Sequence, residues 1–364
     1  MDFRRHRDLY TSVVGDLTVP EVFVVKCIVR QMLAGLTLCG LLGVAFINVA
    51  VGEEWVQKAN MPRARWGLST CIVDDKIYVI GGEQDGGPKG GWVSIRQVEE
   101  YDPATGKWTD KHDMPTSRFF MGACVLNGKI YAIGGEKLWT ELSNVEEYDP
   151  STDKWTRKTK MPTPRDGLGA AAVNGKIYAI GGGQNDNTAI SLVEEYDPVL
   201  DTWKEKENMP TERYGFGISV VNDRIYAIGG NDGNTSLSTV EEYNPARDEW
   251  EKRTDMPTPR WGLSTSVVDG KILAIGGYDG GTTLPMVEEY DPVADIWTPR
   301  MNMPTARSGL STSVVKWRIY AFGGTEAPPS APDPLATLEQ YTPENWSVSH
   351  QGKLAAVWGA IKRY

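Results

Sequence analysis

The feature that most constrains this chain is that most of it is one phrase written six times. Gly-Gly pairs begin at Gly81, Gly134, Gly181, Gly229, Gly276 and Gly323, at spacings of 53, 47, 48, 47 and 47 residues. Around each pair recurs a phrase such as MPTPRDGLGAAAVNGKIYAIGG, then a loop of variable sequence, then VEEYDPSTDKW. A unit of this period cannot bury its own apolar face, so the copies must stack on one another. Six in-register copies exclude a chain of two unrelated domains.

The unit reads as four short strands. The first, from about Gly167 to Val173, is rich in small residues that suit a crowded axis. Asn174-Gly175 supplies a two-residue hairpin turn, whose central positions both need positive φ, and Asn127-Gly128 and Asp269-Gly270 repeat it. Lys176–Ile180 alternates as a second strand, Val193–Tyr196 forms a third, and Trp203 lies on a fourth. Gly-Gly lets backbones approach where a side chain would clash. Tyr and Trp rings provide large area to bury between neighbouring units. No stretch has sustained helical periodicity.

Four strands repeated radially describe a β-propeller blade. The Gly-Gly pair, the Tyr seven residues before a Trp, and the PR-x-G start resemble the kelch repeat. That resemblance covers about residues 53–346 and implies an all-β, six-bladed propeller with four antiparallel strands per blade. It implies the fold alone, because kelch propellers include enzymes, adaptors and scaffolds.

Ring closure is expected from the N-terminal side. Trp55 precedes Met61 by six residues, as Trp108 precedes Met114 and Trp297 precedes Met303, so Glu53–Lys58 reads as an outermost strand lacking a blade of its own. Such a strand would complete blade six and leave no open edge. The alternative is that Trp346 fills the slot; its spacing from Tyr341 is two residues short.

Upstream, residues 32–51 are uncharged and apolar, with Lys26 and Arg30 before them and Ala50-Val51-Gly52 offering a cleavage site. Residues 1–52 therefore read as an extension plus a signal peptide, with a retained anchor as the alternative, since the run is long enough to span a bilayer. The expectation is a protein exported to the periplasm, cell surface or medium. Residues 347–364 form a tail outside the repeat.

A formal charge of −10 disfavours binding to a nucleic-acid backbone. Three histidines and four cysteines leave little room for zinc or copper, and no cofactor or metal site is implied. Cys71 and Cys124 occupy a repeat position held elsewhere by Ala171, Ser219, Ser266 and Ser313, which reads as a small buried site.

Candidate binding residues follow from the repeat. Arg65, Arg118, Arg165, Arg213, Arg260 and Arg307 each precede their Gly-Gly pair by sixteen residues. By the kelch resemblance they begin the innermost strands, near the mouth that also carries the loops after Gly-Gly. Six guanidiniums there could hold a carboxylate, sulfate or phosphate; alternatively each pairs with a glutamate such as Glu146 or Glu194. The next position varies: Trp66, Phe119, Asp166, Tyr214, Trp261 and Ser308. Four are aromatic, a surface suited to sugar rings or a peptide. Among the loops, Trp92, Trp139 and Asp186 stand out, because exposed indoles are uncommon without a partner. Ala327–Pro334 is a stiff Pro-rich insertion.

The resulting expectation is an exported, monomeric binding or scaffold module holding a protein partner, a glycan or an acidic ligand at the mouth. A second reading is an enzyme: some bacterial exported kelch proteins are sialic acid mutarotases, and Asp166 or Asp186 with an Arg clamp could serve such chemistry. A third is a structural envelope component. A copper oxidase is excluded by the shortage of histidines.

Overall fold

The computed structural model describes residues 52–86, 91–184 and 188–343. The expected leader at 1–52 (all but Gly52), Asp186, Trp346 and the tail at 347–364 fall outside these residues. Among the described residues every regular element is a strand, and six four-stranded antiparallel sheets account for the repeats. In blade one the strands run Ser69–Val73, Lys76–Ile80, Val98–Asp102 and Lys107–Lys111, from axis to rim. Blades two to five repeat this order. Blade six pairs Ser311–Val315, Arg318–Phe322 and Leu338–Thr342 with Glu54–Gln57, the strand from the other end of the fold.

The register of that closing strand is set chemically. In the other five blades the outer Trp donates its indole N–H to a main-chain carbonyl of the preceding blade, as Trp155 does to His112 at 2.9 Å and Trp108 to Ala59 at 3.2 Å. Trp55 does the same to Met301, at 3.0 Å. In blades two to five an aspartate accepts the neighbouring blade's main-chain N–H, for instance Asp153 from His112 at 2.9 Å. In blade six Glu53 takes this part, accepting from Met301 at 2.6 Å. Asp153 also accepts from the Tyr148 hydroxyl at 2.6 Å, so the turn at 149–153 that precedes the outer strand is a joint between blades.

The apolar core is divided into six clusters, each lying between adjacent blades. The repeat's Tyr is fully buried in every copy: Tyr101, Tyr148, Tyr196, Tyr243, Tyr290 and Tyr341. Cys71 and Cys124 are buried free thiols in these clusters.

Two closed cycles of main-chain hydrogen bonds join the blades. The second glycine of each pair donates to the carbonyl of the next blade's Arg, from Gly82 to Arg118 at 3.0 Å round to Gly324 and Arg65 at 3.0 Å. The first glycine sits at positive φ, and a Cβ on Gly81 or Gly134 would lie 2.6 Å from that same carbonyl. Only glycine fits both demands. Nearer the axis, Phe120 N–H donates to Gly67, Gly167 to Phe120, Gly215 to Gly167, Gly262 to Gly215, Gly309 to Gly262 and Gly67 to Gly309, all at 2.7–2.8 Å. Members of this second cycle all have φ between 48° and 62°. Five are glycine; Phe120 is the exception.

Candidate functional site: the aromatic mouth

The six repeat arginines are not at the mouth surface. All six side chains are fully buried, each beside a glutamate on the third strand of its own blade: Arg65–Glu99, Arg118–Glu146, Arg165–Glu194, Arg213–Glu241, Arg260–Glu288 and Arg307–Glu339. In blades two to six the pair separation is 2.6–2.9 Å. Arg118 also donates to the carbonyls of Gly134 at 3.0 Å and Asn144 at 2.8 Å, so its fork ties three strands of one blade together. Burial lowers the Arg118 and Arg165 pKa values to about 10, against the partner glutamates that raise them, and both stay charged at neutral pH. The expectation that these guanidiniums clamp an anion is therefore corrected. Each charge is already spent on a buried carboxylate, and nothing is left to project a positive potential.

The variable position beside the Arg does reach the mouth in blades one to five. Each such residue bridges to the first residue after Gly-Gly of its blade: Trp66 to Glu83, Phe119 to Glu136, Asp166 to Gly183, Tyr214 to Asn231, Trp261 to Tyr278 and Ser308 to Thr325. A cavity of about 350 Å³ opens above this collar, lined by Trp66, Phe119, Asp166, Tyr214 and Trp261 together with Trp92 and Trp139 from the loops. Ser308 is fully buried and does not line it. Trp66 and Phe119 show the cavity little more than an edge, being 6% and 5% exposed; Tyr214, Trp261 and Asp166 are half-buried. Trp66 stands edge-on to Phe120 at 5.0 Å, and Tyr214 edge-on to Trp261 at 5.9 Å, so the collar is also packing between blades.

Four contributions escape a reading of the sequence alone. Glu83 and Glu136 line the cavity, as do Phe120 and three residues of the Pro-rich insertion, Pro329, Ser330 and Pro332. Phe120 had a signal: it replaces the glycine of PR-x-G in one copy only. Glu83 and Glu136 occupy the slot after Gly-Gly, which can be aligned between copies but whose direction depends on the bridges above. The insertion is pinned by the buried Thr325 hydroxyl, which accepts main-chain N–H bonds from Ala327 at 3.1 Å and Asp333 at 2.8 Å. The polar loops of blades four and five are turns closed on themselves. Asp232 accepts from the main chain of Asn234 and Thr235, and Asp279 from Gly281 and Thr282.

The loop hairpins differ in strain. In blade two, Glu136–Lys137 pairs with Thr140–Glu141 across Leu138-Trp139. Both turn residues have positive φ, 50° and 63°, where Asn-Gly is the usual choice. Trp139 is 85% exposed and Leu138 70%. A bulky pair is held in an unfavourable conformation at the rim of the cavity, in a place where the fold does not require it.

Charge at the mouth is negative. Glu83, Glu136 and Asp166 share the cavity, and no lysine or arginine among the described residues lines it. Burial pushes Glu83 up to about 7, opposed by the Trp66 indole N–H that donates to it at 3.3 Å. Burial, then the nearby charges of Glu136 and Glu141, push Asp166 up to about 7. Glu136 is raised by burial as well.

This frame and its sequence pattern match a known family. The family model described as the KLHDC2/KLHL20/DRC7 Kelch-repeats domain matches residues 53–209 and again 160–324. The chain belongs to the Kelch-repeat family. Among curated relatives, Kelch-like protein 28 of Homo sapiens is 39% identical over 89 residues, 23% of this chain and 15% of that protein. Beta-scruin of Limulus polyphemus is 35% identical over 85 residues, covering 23% and 8%, and Kelch-like ECH-associated protein 1B of Danio rerio is 36% identical over 82 residues, covering 22% and 14%. Each match covers less than a sixth of the relative's own length, so what they share with this Kelch propeller is the repeat. A Kelch propeller of this kind commonly serves as a protein-binding or scaffold module.

Proposed function

We propose that this Kelch propeller is a binding module that takes a segment of a protein partner into the mouth. One observation carries the reading: a cavity lined by residues that change from blade to blade stands on a frame that does not change. Aromatic side chains concentrate there, and Trp and Tyr are the residues on which binding energy most often rests. Trp139, exposed and strained, has no evident role in the frame.

The acidic-ligand version of the reading loses its support with the burial of the arginines. The sugar-acid enzyme loses its clamp for the same reason. Export stays part of the proposal on the strength of the apolar run at 32–51, and localisation of the full chain with and without residues 1–52 tests it separately.

The experiment for the site is capture of partners by the full chain and by two variants. Trp92→Ala with Trp139→Ala alters the mouth; Trp317→Ala alters the hairpin turn at the opposite end of the blade-six inner strand. Loss of capture by about tenfold in the mouth variant alone supports the reading. Equal capture by all three forms would place the contact elsewhere.

A further inference from the structure

Resting on the mouth as a binding site, we infer that the group it recognises is an organic cation: the guanidinium or ammonium of an arginine or lysine side chain on the partner. Three features of the cavity converge on this. Its more open rings are Tyr214, Trp261, Trp92 and Trp139, drawn from four blades, and an aromatic face attracts a cation through its quadrupole. The same space holds Glu83, Glu136 and Asp166, with no positive side chain among its described lining residues to neutralise them. The frame's own guanidiniums cannot do so, being buried against the third-strand glutamates.

Asp166 is the most telling of the three. Asp166 lines the cavity, and among the described residues its carboxylate takes a hydrogen bond from its own main-chain N–H. The charged groups near it among the described residues are Glu136 and Glu141, both of the same sign as its own. Glu83 accepts a hydrogen bond from the Trp66 indole and faces the like charge of Glu136. A carboxylate held this way gains from an incoming cation both a charge-assisted hydrogen bond and relief of its desolvation. A metal ion does not answer the geometry: among the described residues no three acidic, His or Cys side chains converge closely enough to hold one. A cavity of about 350 Å³ instead has room for a side chain lying between rings.

The test uses the full chain and small probes read by calorimetry. The probes are N-acetyl-arginine methylamide, N-acetyl-lysine methylamide, and the uncharged citrulline analogue of the first. The inference expects the arginine probe to bind at least about tenfold more tightly than its citrulline analogue. Asp166→Asn should erase most of that difference, and Trp317→Ala should leave it intact. Binding should weaken as pH falls from 8 to 6, because Glu83 and Asp166 then take up protons. Asp166→Asn keeps the size of the side chain and removes its charge, so a loss of binding without a fall in melting temperature is not loss of fold. Equal affinity for arginine and citrulline probes overturns the inference, as does tighter binding of acetate than of either. If no probe binds while partner capture still depends on Trp92 and Trp139, the cation reading fails and the binding module stands. If capture is indifferent to the mouth, both fail.

Discussion

A repeated arginine invites two opposite interpretations, and burial decides between them. Removing Arg165 strips the buried Glu194 of its cationic partner and leaves it the hydrogen bonds from Thr163, whose hydroxyl lies at 2.9 Å. Arg165→Ala is therefore expected to cost about 3–5 kcal/mol of stability, seen as a lower denaturant midpoint, while replacing both partners with apolar residues of similar size costs less. Ligand binding should fall only as far as folding does. The recurrence of Arg in every copy was visible in the sequence, and so was the glutamate of VEEY. Their pairing was one of two open readings because it joins the start of the first strand to the third, a distance that spacing alone does not define. Asp166 makes a second prediction at this scale. Its pKa in the folded state lies above the unfolded value, so the folded chain holds a proton that the unfolded chain releases. The stability this contributes is complete below the unfolded pKa and is lost as pH rises through about 7. Asp166→Asn should thus raise the melting temperature more at pH 8 than at pH 5, by about 2–4 °C. An equal gain at both values would show that the carboxyl is not held in this environment.

At the scale of the element, the strands were largely legible and the loops were not. Alternation and hairpin signals place the second strand at Lys176–Ile180, as observed, because core packing and turn chemistry both act locally. The closing strand was legible from the six-residue step between Trp55 and Met61, which reproduces the register of the other outer strands. By contrast, the loop of blade one folds back as a hairpin of Glu83–Asp85 with Trp92–Ser94, and nothing in its composition says which way Trp92 will face. The blade-two hairpin carries the prediction here. Replacing Leu138-Trp139 with Asn-Gly relieves two bulky residues of positive φ, and should stabilise the protein by about 1–2 kcal/mol. The same change removes an aromatic ring from the mouth and should weaken partner capture. A gain in melting temperature together with a loss of binding would mark the turn as strain kept for function.

For the whole molecule, what matters is that each ring of contacts is complete. Every blade has a neighbour on both sides, and both main-chain cycles close on themselves. The cost of breaking the circle should exceed the loss of one strand's pairing. Deleting residues 53–60 removes the Trp55 and Glu53 bonds to Met301 and exposes the edge of Leu338–Thr342. It should lower the melting temperature by about 10 °C or more; an unchanged value would mean that another segment closes the ring. The axis is less symmetric than the frame. Between blades five, six and one, hydroxyls meet across the centre, as Ser264 with Thr312 at 2.8 Å and Thr70 with Ser311 at 2.9 Å. Blades two and three offer Gly122, Ala123, Gly169 and Ala170 there instead.

The closing strand also sets an order in time. Glu54 pairs with Thr342, so the first piece of the ring to be synthesised waits for the last. At ribosomal speeds of about 5–20 residues per second, the 287 residues between them take roughly 15–60 s to appear. Throughout that interval a nascent chain carries a strand without its edge, and a stalled or truncated chain carries it indefinitely. Two such chains on one messenger present each other with the same register that a finished chain offers itself. Exchange of first strands between neighbours on a polysome is then the natural misassembly of this molecule, and a chaperone that shields residues 54–57 until release would prevent it.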